Sequence, residues 1–240
     1  MAFELTSGRR PLIVSCGSGA HLGPDWHRAG RATPSHSTLC LGGYSSARLG
    51  KPVKTSGVYR ELLVEAPKIV PVEMSQTAEG VKFEGAHSGY VPPFGLTHAR
   101  KLSLSLDGRS LAGEDLLIAL DDTAGNAGET VLSDDINPNV DFQIRFHLHP
   151  EVDAALDLGG TTVAIAAKSG EIWIFRHESK LSLTIEPGVY LEKNQPIPRS
   201  SRQIVLSGMV NDALTRAQWS LSKTQDTAMA IRDLRLEELR

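Results

Sequence analysis

A large, multi-layered antiparallel β-sandwich is the fold class that this sequence predicts, and three observations carry the prediction. The dominant period of the apolar residues is two, which is the spacing of a strand with one buried face. A dozen or more such runs follow one another at short intervals. Turn-forming pairs separate several of them: Asp107-Gly108, Gly159-Gly160, Ser169-Gly170 and Asn211-Asp212.

In chain order, residues 2–6, 11–16, 37–41, 57–66, 68–76 and 79–86 read as short strands. Residues 17–35, rich in Gly, Pro, His and Arg, interrupt them and read as a long ordered loop of the kind that carries function. Residues 101–106, Lys-Leu-Ser-Leu-Ser-Leu, put every leucine on one face, and the Asp107-Gly108 step turns the chain so that Ser110 to Leu120 returns antiparallel. Residues 121–139 form an acidic loop whose spacing does not match a calcium-binding loop, so it reads as solvated. Val140 to His149 alternates again, with Asp141, Gln143, Arg145, His147 and His149 on the polar face. Further strands are expected over 152–158, 162–168, 171–177, 180–186, 202–210 and 213–222. Met229, Ile231, Leu234, Leu236 and Leu239 lie among charges after that, so the sandwich is set at 1–223 and a short C-terminal helix or flexible tail at 224–240.

Composition excludes several function classes. The 240 residues carry 25 Lys+Arg against 28 Asp+Glu, a net charge of −3, which offers no basic field for a nucleic-acid backbone. No window approaches the 18 or so consecutive apolar residues of a membrane span, and no basic start followed by an apolar run marks an export signal. Two cysteines, Cys16 and Cys40, cannot staple a small fold, although their pairing into one bridge is open. There is no Gly-x-Ser-x-Gly elbow and no phosphate-cradling Gly-Lys-Ser/Thr loop.

The histidines are the chemical lead. His147 and His149 fall on one strand face about 6.6 Å apart, a spacing that suits two ligands of one metal and a cupin-like enzyme. The second half of a cupin pattern is missing, because Pro187-Gly188 lacks its histidine. His36 ends the 17–35 loop just before a strand. His87 and Tyr90 flank a glycine, and His98 and Arg100 share a face by parity. Together those four compose a cationic, aromatic patch suited to a carboxylated sugar, since Arg binds carboxylates in bidentate fashion.

These residues also carry a family resemblance. Phe3-Glu4-Leu5 with Gly8, Pro11 to Gly17, Ser35-His36-Ser37-Thr38-Leu39, His87-Ser88-Gly89-Tyr90, His98-Ala99-Arg100, Gly113-Glu114-Asp115, Phe146 to Pro150 and Gln203 to Gly208 resemble, in order and spacing, the β-sandwich part of heparinase II/III-like proteins. The resemblance covers roughly residues 2–222. It implies a helical toroid ahead of the sandwich, a cleft between the two, and polysaccharide lyase chemistry on uronic-acid glycans by β-elimination. That reaction needs a neutralised carboxylate and a Tyr/His acid–base set, with the Tyr supplied by the toroid. The chain begins where the family's His-rich motif has just ended, so toroid and motif are expected to be absent and the chain inactive alone.

The resemblance further implies His87, Tyr90, His98 and Arg100 as substrate contacts. It implies His36 as a ligand of zinc or another divalent metal in the intact parent, with Ser15 standing at the position of a second, aspartate ligand. Acidic polysaccharide is the implied partner and the periplasm or cell envelope the implied compartment. A non-catalytic carbohydrate-binding or cell-envelope module is the alternative of another class.

Overall fold

Period-two alternation becomes two large antiparallel sheets. The computed structural model describes residues 1–119, 139–177 and 180–225. The described strands are β1 (Leu5–Ser7), β2 (Arg10–Val14), β3 (Leu39–Leu41), β4 (Arg48–Thr55), β5 (Val58–Glu65), β6 (Val72–Thr77), β7 (Gly80–Tyr90), β8 (Leu96–Ser105), β9 (Ser110–Ala119), β10 (Val140–Leu148), β11 (Val152–Asp157), β12 (Thr162–Ala167), β13 (Ile172–His177), β14 (Ser182–Tyr190), β15 (Arg199–Val210) and β16 (Leu214–Gln225). Two short helices join them, α1 (Pro24–Gly30) and α2 (Val91–Phe94). The expected acidic loop at 121–139 lies, but for Asn139, outside the described residues, and so does the expected C-terminal helix or tail at 224–240 except for its first two residues, which instead end β16.

One sheet runs β1-β2-β10-β15-β14, with β3 also on β10, and the other runs β11-β12-β13-β16-β9-β8-β7-β6; β4 and β5 pair only with each other. The pairings within these sheets are antiparallel. The sheets meet through aromatic rings. Phe146 of β10 sits edge-on to Phe175 of β13 and to Trp219 of β16, at 4.9 and 4.7 Å between centroids. Phe3 stacks on Trp219 at 5.4 Å. Such pairs add about 0.5–1.5 kcal/mol each beyond the area they bury. Trp219 fits because its cross-strand neighbour is Gly113, where a Cβ would lie 2.1 Å from the indole.

The β8–β9 hairpin forms as the sequence predicts. Gly108 takes a positive φ of 67°, and Asp107 Oδ1 accepts from the Ser105 hydroxyl and from the Arg109 N–H. This turn fixes the register of the whole hairpin and pairs Arg100 with Asp115.

One edge of β10 is shared. Phe142–Ile144 pair with β3, whereas His147 and Leu148 pair with β2. Between them the Arg145 N–H donates to the Thr38 carbonyl, and the Ser37 hydroxyl both accepts from the His147 N–H and donates to the Val14 carbonyl. A side chain thus replaces a ladder bond where two strands abut.

Two readings of the sequence are corrected here. Residues 17–35 are not all loop: Pro24 at the first helical position, after Gly23, starts α1. The run 48–55 forms a strand the sequence did not announce, because its Lys, Pro and Gly leave no apolar face and most of it is exposed.

Candidate functional site

Strand parity places His98 and Arg100 on one face, as expected, but that face is the interior. His98, Arg100 and Tyr90 are fully buried and His87 nearly so. The expected solvent-facing patch is therefore corrected: these four side chains are held inside the sandwich by partners that satisfy them. Asp115, also buried, accepts Arg100 Nε at 2.8 Å and Nη2 at 3.0 Å, His98 Nε2 at 2.7 Å and Trp219 Nε1 at 3.0 Å. Arg100 Nη1 donates to the Met1 and Ser37 carbonyls, and the guanidinium carbon lies 5.7 Å from the centre of the Phe3 ring. Tyr90 donates its hydroxyl to the Leu39 carbonyl at 3.0 Å, and burial pushes its ionisation up.

Hydrogen bonds give the histidines a fixed order. The Gly89 N–H donates to His87 Nδ1, His87 Nε2 lies 3.3 Å from His98 Nδ1, and His98 Nε2 reaches Asp115. The order is consistent only if His87 carries its proton on Nε2 and His98 on its own Nε2, both rings neutral. Burial lowers both pKa values, that of His87 to about 3, with the neighbouring His98 adding to the shift. Burial alone would raise the Asp115 carboxyl, but Arg100 and then His98 more than offset it and hold it well below the usual carboxylate range. The cluster is a closed electrostatic unit with its polar atoms paired.

Asp115 and Trp219 are the members that sequence reasoning did not single out as site residues. A signal for Asp115 was present. A turn centred on Asp107-Gly108 pairs residues whose numbers sum to 215, which sets Arg100 opposite Asp115.

Above this cluster a cavity of about 190 Å³ is walled by His36 and His87 together with Arg31, Thr33, Ser46 and Leu63. His36 is half-buried at the end of a short 3₁₀ turn, and burial lowers its pKa. Its backbone is tied to Thr33 and Thr38. Ser15, where the resemblance puts an aspartate ligand, has a hydroxyl in place of a carboxylate, and its N–H donates to Glu4 Oε1 at 3.1 Å. Among the described residues no three His, Cys, Asp or Glu side chains are placed to hold a metal ion. His36, Ser15 and Glu4 by themselves do not fit a divalent-metal centre.

The pair His147 and His149 does not converge either. His147 Nε2 faces the Pro34 carbonyl at 2.8 Å and its Nδ1 faces Cys16 Sγ at 3.4 Å, so both ring nitrogens are occupied and burial lowers its pKa to about 4. His149 lies beyond the strand end, against the Tyr190 ring, and accepts the Glu151 N–H. The cupin-like arrangement is corrected on this ground. Cys16 and Cys40 are free and buried, and burial pushes both thiols up to about 11. Cys40 sits beside Gln143 and Cys16 beside His147, four residues along β10 and so roughly 13 Å apart, too far for a bridge.

A two-sheet antiparallel sandwich with a buried His-His-Asp-Arg unit beneath a small cavity of mixed lining is the class that fold and site define. Residues 1–225 match the profile described as "Heparinase II/III-like, C-terminal", and the chain belongs to that family. It is 30% identical over 234 residues to FtsZ-localized protein C of Caulobacter vibrioides, an alignment that covers 93% of this chain and 37% of that protein. In structure it is similar to heparan sulfate lyase HepC from Pedobacter heparinus, with a TM-score of 0.68 at 13% identity, over 95% of this chain and 30% of that one. It is likewise similar to heparinase III, with a TM-score of 0.61 at 13% identity, over 95% of this chain and 30% of that one. The chain thus spans about a third of the length of these relatives. Among the described residues no helix is long and apolar enough to cross a membrane.

Proposed function

We propose that this chain is the sandwich part of a cell-envelope protein that binds acidic polysaccharide, and that it carries no lyase activity by itself. One observation carries the reading. The His87, His98 and Arg100 side chains that the resemblance offers as substrate contacts are consumed in internal hydrogen bonds that lead to Asp115, and Tyr90 spends its hydroxyl on the Leu39 carbonyl. A general base must reach its proton at hydrogen-bond distance, and neutral, doubly bonded His87 and His98 have no nitrogen to offer. Above them opens a cavity of mixed lining whose polar side includes Arg31 and His36, which suits recognition of a carboxylated sugar. The name of the relative from Caulobacter, FtsZ-localized protein C, refers to where that protein is found and not to a reaction, which supports the non-catalytic, cell-envelope part of this reading.

The likeness in fold to heparan sulfate lyase favours a second reading, in which a preceding toroid completes a lyase whose substrate spans both parts. One experiment separates the two. The 240-residue chain, and a longer protein that includes it, are incubated with a panel of uronic-acid polysaccharides while binding and unsaturated-product absorbance are followed. The proposal expects binding without product from the chain. Product from the chain alone overturns its non-catalytic character, product from the longer protein alone establishes the second reading, and absence of binding by both overturns the glycan assignment.

A further inference from the structure

A second, larger cavity of about 460 Å³ opens beside the one that holds His36, within the range of pockets that take small ligands. Ser46 and Ala47 line both and form the partition between them. Its wall joins separate parts of the chain: residues 44–48 at the start of β4, Val64 and Glu65 at the end of β5 with Ala66 and Lys68 after it, and Ser88 and Gly89 of β7 with Pro92 and Pro93 of α2. Tyr44 is 54% exposed, yet its ring is not loose, because Phe94 packs against it at 5.4 Å with the planes 86° apart. A rigid aromatic ring beside two exposed prolines is a flat apolar surface of the size of a sugar ring.

Charge lies at the rim. Arg48 pairs with Glu65, which neutralises it in part. Lys68 is exposed and makes no ion pair among the described residues. Ser88 adds a hydroxyl on the β7 side. The combination of a fixed aromatic face, an unspent ammonium and nearby hydroxyls matches one chemistry: a pyranose whose C–H face lies on the ring and whose carboxylate reaches the cation.

We propose that this groove is a uronate-binding subsite, with Tyr44 as its platform and Lys68 as its carboxylate partner. The inference rests on the acidic-polysaccharide reading above and names where on this chain one sugar is held. Tyr44 and Lys68 lie outside the buried cluster around Asp115, so changing them leaves that cluster intact.

The test titrates the full chain with short galacturonate oligomers and, in parallel, with the corresponding uncharged galactose oligomers, reading affinity by calorimetry and the Tyr44 and Lys68 signals by NMR. The unaltered chain is expected to prefer the charged series. Tyr44→Ala and Lys68→Ala are each expected to weaken galacturonate binding about tenfold or more, as loss of a charged hydrogen bond or a stacking face does. Tyr44→Phe should restore affinity, because the ring remains, and a melting curve that matches the unaltered chain shows that each variant is folded. Unchanged affinity in both alanine variants, with the unaltered chain still binding, overturns the subsite and leaves the polysaccharide reading standing. Equal affinity for charged and uncharged oligomers overturns the role of Lys68 and with it the proposal. No binding of galacturonate by the unaltered chain overturns the subsite, and failure of hyaluronan and polygalacturonate to bind at all then overturns the polysaccharide reading too.

Discussion

Asp115 is the residue on which the interior depends, because four donors from three side chains end on its two oxygens. A buried ion pair brings little net stability when formed, since desolvation offsets attraction, but breaking it leaves a buried charge without a partner. Asp115→Ala should therefore cost about 3–5 kcal/mol, the range for stranding one member of a buried pair. Replacing both members with apolar residues of similar volume, as in Arg100→Met with Asp115→Leu, should cost less than Asp115→Ala alone, because no charge is then stranded. Urea unfolding of the two variants measures the difference. If the double variant is the less stable, Arg100 contributes chiefly through its bonds to the Met1 and Ser37 carbonyls and not through the charge pair.

Among the elements, β10 shows how a sandwich joins distant pieces of chain. Its edge is completed by β2 and β3, and at their junction the Ser37 hydroxyl takes the His147 N–H and gives its own proton to the Val14 carbonyl. Ser37→Ala would leave both groups buried without partners, at about 1–3 kcal/mol each by the usual cost of an unmet hydrogen bond. Amide exchange at His147 should quicken in that variant while the β8–β9 amides stay protected. Uniform loss of protection would mean that the junction is no local feature. These elements differ in how far the sequence announced them. The strands of the β8–β9 hairpin, and even its Arg100–Asp115 register, follow from alternation and one Asp-Gly turn. The shared edge of β10 does not, because Val14 and Ser37 lie more than a hundred residues before His147 and no local pattern encodes that pairing. The same limit applies to the site. Parity put His98 and Arg100 on one face correctly, but whether that face meets water or another sheet is decided by packing.

On the scale of the whole molecule, the β4–β5 hairpin stands apart from the two sheets that make the core. Among the described residues it pairs only with itself, and most of β4 is exposed, as are Tyr59, Leu62, Leu63 and Val64 of β5. Its polar attachments to the body include the Arg28–Glu61 ion pair and the bond from Arg31 Nη1 to the Glu61 carbonyl. The first is half exposed on its Arg28 side and contributes about 0–1 kcal/mol, the second about 0.5–1.5 kcal/mol. The buried rings that join the sheets, Phe146, Phe175 and Trp219, come from β10, β13 and β16 and owe nothing to the hairpin. Two-stranded ribbons are marginal on their own, and elements with few buried apolar contacts open locally before the rest. Replacing residues 51–62 with a short Asn-Gly turn should accordingly leave one cooperative transition and lower the melting temperature by only about 2–4 °C, the shift that 1 kcal/mol makes in a chain of this size. Calorimetry of the shortened chain checks this. A broad or split transition, or a drop as large as that of Asp115→Ala, would place the hairpin inside the cooperative unit and make Leu49 and Leu63, which wall the His36 cavity, part of what holds the sandwich together.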